Sequence, residues 1–394
     1  VIEAFMNDDK RFVILEAGTG VGKSAIGLTV ARYINRNLIT SPDDNIGAGS
    51  YFLTTQKILQ EQYEKDFGGN NGDMCSLYSA SNYKCGYNKK NDCKTSQQQL
   101  RTEKKGSAFF KHCMTSCAYK MKKKSFLEST ESTTNFPYFI TESTYSGKIT
   151  PRKTLIIDEA HNAESVLSNF VEVSVSQYFC DKLIKCNWPA KITPINFVKW
   201  VKNEYFPALQ IKVAHFESQL EKMGLKSKLQ ELRTLSMKYE MLSSHSKKLE
   251  KFLKDYSSDN WVMEVQESEK RGYKKVVYRA IDVSKFAEEY LFRMGKKVLL
   301  MSATILNADS FAKSLGIKKE EYEVIKLPSP FPSENRPIFQ STIGSMSYSQ
   351  IEQSLPRLKA AIEAILEEHK GQKGVVHCHT YRIANYLKKN IKSK

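Results

Sequence analysis

The stretch Arg11–Ser24, RFVILEAGTGVGKS, decides how the rest of the chain reads. Its first half, Arg11–Ala17, is short, apolar and closed by a Gly-rich turn, the pattern of a strand buried on both faces. The spacing after the turn predicts a helix from about Lys23 to Asn35. A second strand is expected over Tyr51–Thr54 (YFLT), running into a helix over Gln56–Asp66. Strand and helix in alternation imply an α/β fold with a parallel, doubly wound sheet.

Within that stretch, Glu16–Ser24 (EAGTGVGKS) fits the relaxed phosphate-loop pattern of Ala or Gly, four residues, Gly-Lys, then Ser or Thr. Three glycines let the backbone turn so that the amides from Ala17 through Gly18, Thr19, Gly20, Val21 and Gly22 face phosphate oxygens. The following helix aims its positive end at the same point. Lys23 is placed to reach the β and γ phosphates, and the Ser24 hydroxyl to ligate magnesium. Farther on, Asp158-Glu159-Ala160-His161 ends the apolar run Thr154–Asp158 (TLIID). Carboxylates there lie at the carboxyl edge of a parallel sheet, where such folds bind ligands. Asp158 suits a magnesium ligand and Glu159 a base for the attacking water, because phosphoryl transfer needs positioning and charge neutralisation above all. A third strand over Lys297–Met301 (KVLLM) leads into Ser302-Ala303-Thr304, whose hydroxyls, with His161, suit a link between nucleotide state and domain movement.

Composition sets the outer limits. The 394 residues exceed one compact domain of usual size, and 41% hydrophobic content is enough for ordinary cores. No apolar run approaches the roughly 20 residues of a membrane span, and no secretory leader opens the chain. A start at Val1 and a stop at Lys394 inside an apparent helix read as a fragment. The net charge of +17 points to a polyanion, because Lys and Arg displace the counterions of phosphates.

Between Gly68–Gly72 (GGNNG) and about Asn135 the strand–helix order breaks into a stretch with little period of its own. Five of the eight cysteines crowd there, spaced Cys75-x9-Cys85-x7-Cys93-x19-Cys113-x3-Cys117. In a large chain without a leader such clustering favours metal over disulfides, and four thiolates suit an iron–sulfur cluster or a tetrahedral zinc. Lys84–Lys124 carries twelve Lys or Arg against Asp92 and Glu103, with Tyr83, Tyr87, Phe109, Phe110 and Tyr119 between them. Cations tracking phosphates and rings stacking on bases are the signature of single-strand binding. Tyr83, Lys84 and Lys120 are the candidates here, together with Thr55 and Gln56 at the start of the second helix, where Thr54 and Thr55 also suit helix caps. From about Glu164 to Lys285 the chain reads as mostly helical. Leu220, Leu225, Leu229, Leu232, Leu235, Tyr239, Leu242, Leu249 and Leu253 mark a packed seam. Cys180 and Cys186 read as ordinary residues of that region. Gly374–Tyr386 (GVVHCHTYRIANY) reads as a further strand–helix unit, with His377 and His379 beside a strand end.

The motifs EAGTGVGKS, LTTQ (Leu53–Gln56), DEAH (Asp158–His161), SAT (Ser302–Thr304), SPF (Ser329–Phe331) and VVHCHTY (Val375–Tyr381) occur in one order along the chain. In this the chain resembles superfamily 2 helicases, and in particular the XPD/DinG group of iron–sulfur DNA helicases. The resemblance implies a RecA-like motor domain over 1–70, 135–163 and 285–310. It also implies an iron–sulfur insertion over 71–134, a helical, arch-like insertion over 164–284, and the start of a second RecA-like domain over 311–394. It implies ATP and Mg²⁺ as cofactors, and a 4Fe–4S cluster on Cys85, Cys93, Cys113 and Cys117. In the family the first ligand follows a small-polar-aromatic stretch, as in Ser81–Cys85, and an aromatic follows the last, as in Cys117-Ala118-Tyr119; Cys75 is then the spare. It further implies a monomer that moves 5′ to 3′ on single-stranded and forked DNA, in the cytoplasm of a bacterial or virus-infected cell or in a nucleus. Two features depart from the pattern: the later motifs with an arginine that completes the ATP site are absent before Lys394, and so is the adenine-contacting segment ahead of the phosphate loop. A non-unwinding nucleic-acid-binding ATPase and an RNA-directed D-E-A-H motor are the alternatives.

Overall fold

The computed structural model describes residues 1–6, 10–41, 45–68, 74–100, 103–222, 229–267 and 272–391. The chain divides into two units, Val1–Pro330 and Phe331–Lys394.

In the first unit the strands are β1 (Phe12–Ala17), β2 (Gly47–Thr54), β3 (Met74–Ser76), β4 (Glu131–Asn135), β5 (Arg152–Asp158), β6 (Val173–Ser176), β7 (Trp261–Glu267), β8 (Lys274–Ala280), β9 (Gly295–Ser302) and β10 (Tyr322–Leu327). Seven of them form one sheet in the order β10-β1-β9-β5-β2-β4-β3, and every pairing is parallel. Helices α1 (Ile2–Met6), α2 (Lys23–Asn37), α3 (Lys57–Phe67), α4 (Cys93–Leu100), α5 (Ala108–Thr115), α6 (Ala118–Glu128), α7 (Phe136–Tyr145) and α8 (Ala163–Val171) connect the strands. Successive side chains of each strand point to opposite faces. Val13, Leu15, Phe52, Ile156, Leu299 and Met301 therefore join Leu28, Val30, Ala31 and Ile34 of α2 in one core. Phe12, Ile14, Tyr51, Leu53, Leu155, Ile157 and Val298 face Phe126, Phe136, Phe139 and Leu167 in the other. Burial on both faces is why these strands read as continuous apolar runs. The α/β, RecA-like expectation is met.

Four expectations change. The segment from 68 to 135 is not without regular structure: it holds α4, α5 and α6, and it gives the main sheet β4 and the edge strand β3. β4 (ESTTN) has no apolar signal, because its buried side chains are held by polar partners. Arg32 pairs with Glu131 at 2.6 Å, Arg152 donates to the Ser132 hydroxyl at 2.8 Å, and Thr134 donates to the Leu77 carbonyl at 2.7 Å. Most of the GGNNG stretch, from Gly69 to Gly72, lies outside the described residues.

The region 164–284 is not helical throughout. It includes an antiparallel sheet, β6-β8-β7, beneath the long helices Phe206–Lys222 and Leu229–Asp255. The leucine seam packs as expected, with Leu242 and Leu249 fully buried and Leu235, Tyr239 and Leu253 against the same core. Leu225 lies outside the described residues, as do the side chains of Leu229 and Leu232.

The expected boundary at 310/311 falls after Pro330. β10 pairs with β1 along Phe12–Ala17, so residues 311–330 belong to the first unit. In the second unit, helices Ile351–Glu368 and Tyr381–Asn390 pack through Ile351, Leu355, Ile362, Ile383 and Leu387. The strand expected at Gly374 is absent: residues 374–379 are irregular and Val375 is 80% exposed. A strand exists only through its ladder, and no strand among the described residues pairs with this one.

Candidate nucleotide site and cysteine centre

β1, β9 and β5 are adjacent, and their register aligns Glu16 with Ser302 and Asp158 with Met301. The phosphate-loop string, the D-E-A-H string and the S-A-T string therefore leave the sheet side by side at its carboxyl edge. The loop turns through Gly20 at φ 84° and Gly22 at φ 88°, and the second of these is the residue ahead of α2. Lys23 Nζ donates to the Ala17 carbonyl at 3.0 Å and lies 3.4 Å from that of Gly18, folding the ammonium over its own loop.

Asp158 is 6% exposed. Its Oδ1 accepts the Glu159 amide at 3.0 Å, and its Oδ2 accepts the Tyr63 hydroxyl at 3.2 Å. Burial pushes the Asp158 carboxyl upward, against the pull of the Glu159 amide, the Tyr63 phenol and the Lys23 charge. Burial, then the neighbouring Asp158 charge, pushes the Tyr63 phenol far above its ordinary value. Tyr63 is the residue the sequence reading missed: an aromatic on an amphipathic helix reads as core, and only the fold shows where its hydroxyl ends.

Glu159 has φ 54°, a left-handed conformation that costs a side-chain-bearing residue about 1–3 kcal/mol and clusters at functional sites. The turn leaves its carboxylate 3.4 Å from His161 Nδ1. The same nitrogen sits 2.7 Å from the Ser302 hydroxyl, so D-E-A-H and S-A-T meet directly. Thr304 is exposed, and its amide reaches back to the Ser302 hydroxyl at 3.3 Å. Gln56 is exposed ahead of α3 and Thr55 is half-buried. Neither Thr54 nor Thr55 caps the helix, because Gln56 holds that position and no side chain makes the cap bond.

Cys85, Cys93, Cys113 and Cys117 are all buried and unpaired by disulfide. Cys93 opens α4, Cys113 lies in α5 and Cys117 precedes α6. Cys93 and Cys117 have their sulfurs 3.4 Å apart. Burial, then the adjacent Cys117, pushes the Cys93 thiol up to about 12; Cys113 is raised by burial and by Cys117. Among the described residues, however, no group of three or more His, Cys, Asp or Glu is gathered tightly enough for a single metal ion. A lone zinc needs four ligands within about 2.0–2.3 Å of one point. A cluster spreads four thiolates over several irons, a wider span than the shell of one metal ion. Cys75 lies apart on β3, its thiol directed at the Lys122 carbonyl at 3.8 Å.

Of the proposed nucleic-acid contacts, Lys84 is exposed. Tyr83 packs instead: it is half-buried, its ring lies 5.5 Å from that of Tyr119, and its hydroxyl accepts the Tyr78 amide at 3.2 Å. Lys120 borders a groove of about 780 Å³ with Phe110, Met114, Lys123, Lys124 and Lys148. Cys180 is buried and donates to the Cys186 carbonyl, in keeping with an ordinary structural residue.

Residues 1–185 match the family model described as "Type III restriction enzyme, res subunit". That match spans the phosphate loop and the D-E-A-H string. Among solved structures, a chain titled "Truncated XPD" is similar at 17% identity and a TM-score of 0.43, covering 83% of this chain and 97% of its own. No curated protein matches. No helix among the described residues is long and apolar enough to cross a membrane.

Proposed function

We propose that the chain is the ATPase motor of a DNA helicase of the XPD/DinG kind, acting on single-stranded and forked DNA with 5′ to 3′ movement. The observation that carries this reading is the meeting of the three strings at one sheet edge, with Ser302 bonded to His161 and Asp158 beside Lys23. The loop amides and Lys23 bind the triphosphate. Ser24 and Asp158 would hold magnesium, which when bound neutralises charge on the phosphate oxygens. Glu159 orients the attacking water and takes its proton. His161 passes the position of Glu159 to Ser302, and so to the strand between the two halves of the site. Cys85, Cys93, Cys113 and Cys117 would hold a 4Fe–4S cluster, whose service is to crosslink a polar segment. The basic face around Lys84 and Lys120 attracts the strand.

DNA-stimulated ATP hydrolysis is the test. Lys23→Ala is expected to abolish it, and normal turnover in that variant overturns the site. Stimulation by RNA but not DNA replaces the DNA reading with an RNA-directed motor.

A further inference from the structure

We propose that Tyr63 is a positioning residue of the nucleotide site: its hydroxyl sets the Asp158 carboxylate for a divalent cation without touching the nucleotide. The inference rests on the reading of the site above and adds a residue that belongs to none of its motifs.

Tyr63 lies on α3, the helix after β2, with 2% of its surface exposed. Its ring is fixed between Phe52 at 5.6 Å and Phe67 at 5.9 Å. A phenylalanine would fill that space; the hydroxyl exists there for its partner, because a buried Tyr O–H needs one. That partner is Asp158 Oδ2 at 3.2 Å, while the Glu159 amide holds Oδ1 at 3.0 Å. Two donors, one on each oxygen, fix the plane of the carboxylate and leave lone pairs over for a cation.

The test titrates Mg²⁺ into the full chain with a fluorescent ATP analogue, and measures nucleotide affinity in EDTA alongside. Tyr63→Phe is expected to raise half-saturating Mg²⁺ about tenfold, the loss typical of one hydrogen bond to a charged group. Affinity in EDTA should stay within about twofold. Phe52→Leu loosens the ring without removing the hydroxyl; melted in parallel, it is expected to lower the melting temperature and leave the Mg²⁺ titration unchanged. If Tyr63→Phe titrates like the parent, or if Phe52→Leu reproduces its shift, the positioning role is overturned while the site stands. If the parent itself shows no Mg²⁺-dependent binding, the reading of the site fails first.

Discussion

Two glycines separate folding from binding: Gly22 in the loop and Gly27 in α2. Gly22 has φ 88°, and a Cβ built on it meets nothing within 4 Å. Gly22→Ala therefore adds no clash; its only charge against folding is the left-handed backbone, about 1–2 kcal/mol. For a unit of this size that lowers the melting temperature by about 2–6 °C. Nucleotide affinity should fall much further. A residue that avoids positive φ relaxes by rotating the peptide between positions 22 and 23, and that rotation turns a loop amide away from the phosphates. A loss of tenfold or more is expected, about 1.4 kcal/mol or above. Gly27 is the reverse case. Its added Cβ would stand 3.0 Å from the Met301 terminal methyl and 3.3 Å from an Ile156 methyl, inside the core and away from the loop. Overpacking costs about 1–3 kcal/mol and the helix gains roughly 1 kcal/mol from Ala over Gly, so Gly27→Ala changes stability modestly. It should leave nucleotide affinity within about twofold of the parent. Thermal melts and a titration with a fluorescent ATP analogue on the same preparations read both quantities. Unchanged affinity in Gly22→Ala, or lost affinity in a folded Gly27→Ala, refutes the assignment of the loop.

Two further outcomes are expected. His245 packs between Phe179 at 5.8 Å and Tyr205 at 5.9 Å, with its Nε2 3.1 Å from the Tyr205 hydroxyl, and burial lowers it from 6.5 to about 4. A depressed His is neutral when folded, so stability is full above pH 6.5 and is lost as the unfolded chain takes a proton between pH 6.5 and about 4. The full shift corresponds to about 3 kcal/mol, reduced to roughly 1–2 kcal/mol because solvent reaches the ring edge. His245→Asn should flatten the melting temperature across that range, and an unchanged pH slope counts against it. Anaerobically purified chain should carry iron and sulfide in roughly 4:4 ratio. Cys113→Ser should lose both, whereas Cys75→Ser should keep them; zinc without iron overturns the cluster.

What was legible in the sequence was what local chemistry alone determines. The run Phe12–Ala17 is apolar because both faces of its sheet are covered, and Gly20 and Gly22 after it are where the loop has positive φ. The same holds for Asp158 and Ser302, each closing an apolar strand. The misreadings share one cause: a strand is defined by its neighbours. β4 is polar and yet central enough to be buried, because Arg32 and Arg152 reach its side chains from α2 and β5, segments distant in sequence. β10 went to the wrong unit because YEVIKL looks the same whether it pairs with β1 or with a strand of another sheet. Residues 374–379 have the composition of a buried strand and none of the ladder. Tyr63 is the same lesson at the level of a single atom. Its spacing on α3 announces a buried ring, and nothing within the helix can announce that the ring's oxygen meets a carboxylate ninety-five residues away. Composition is a property of one segment, pairing is a property of two, and the chemistry of this site depends on the second.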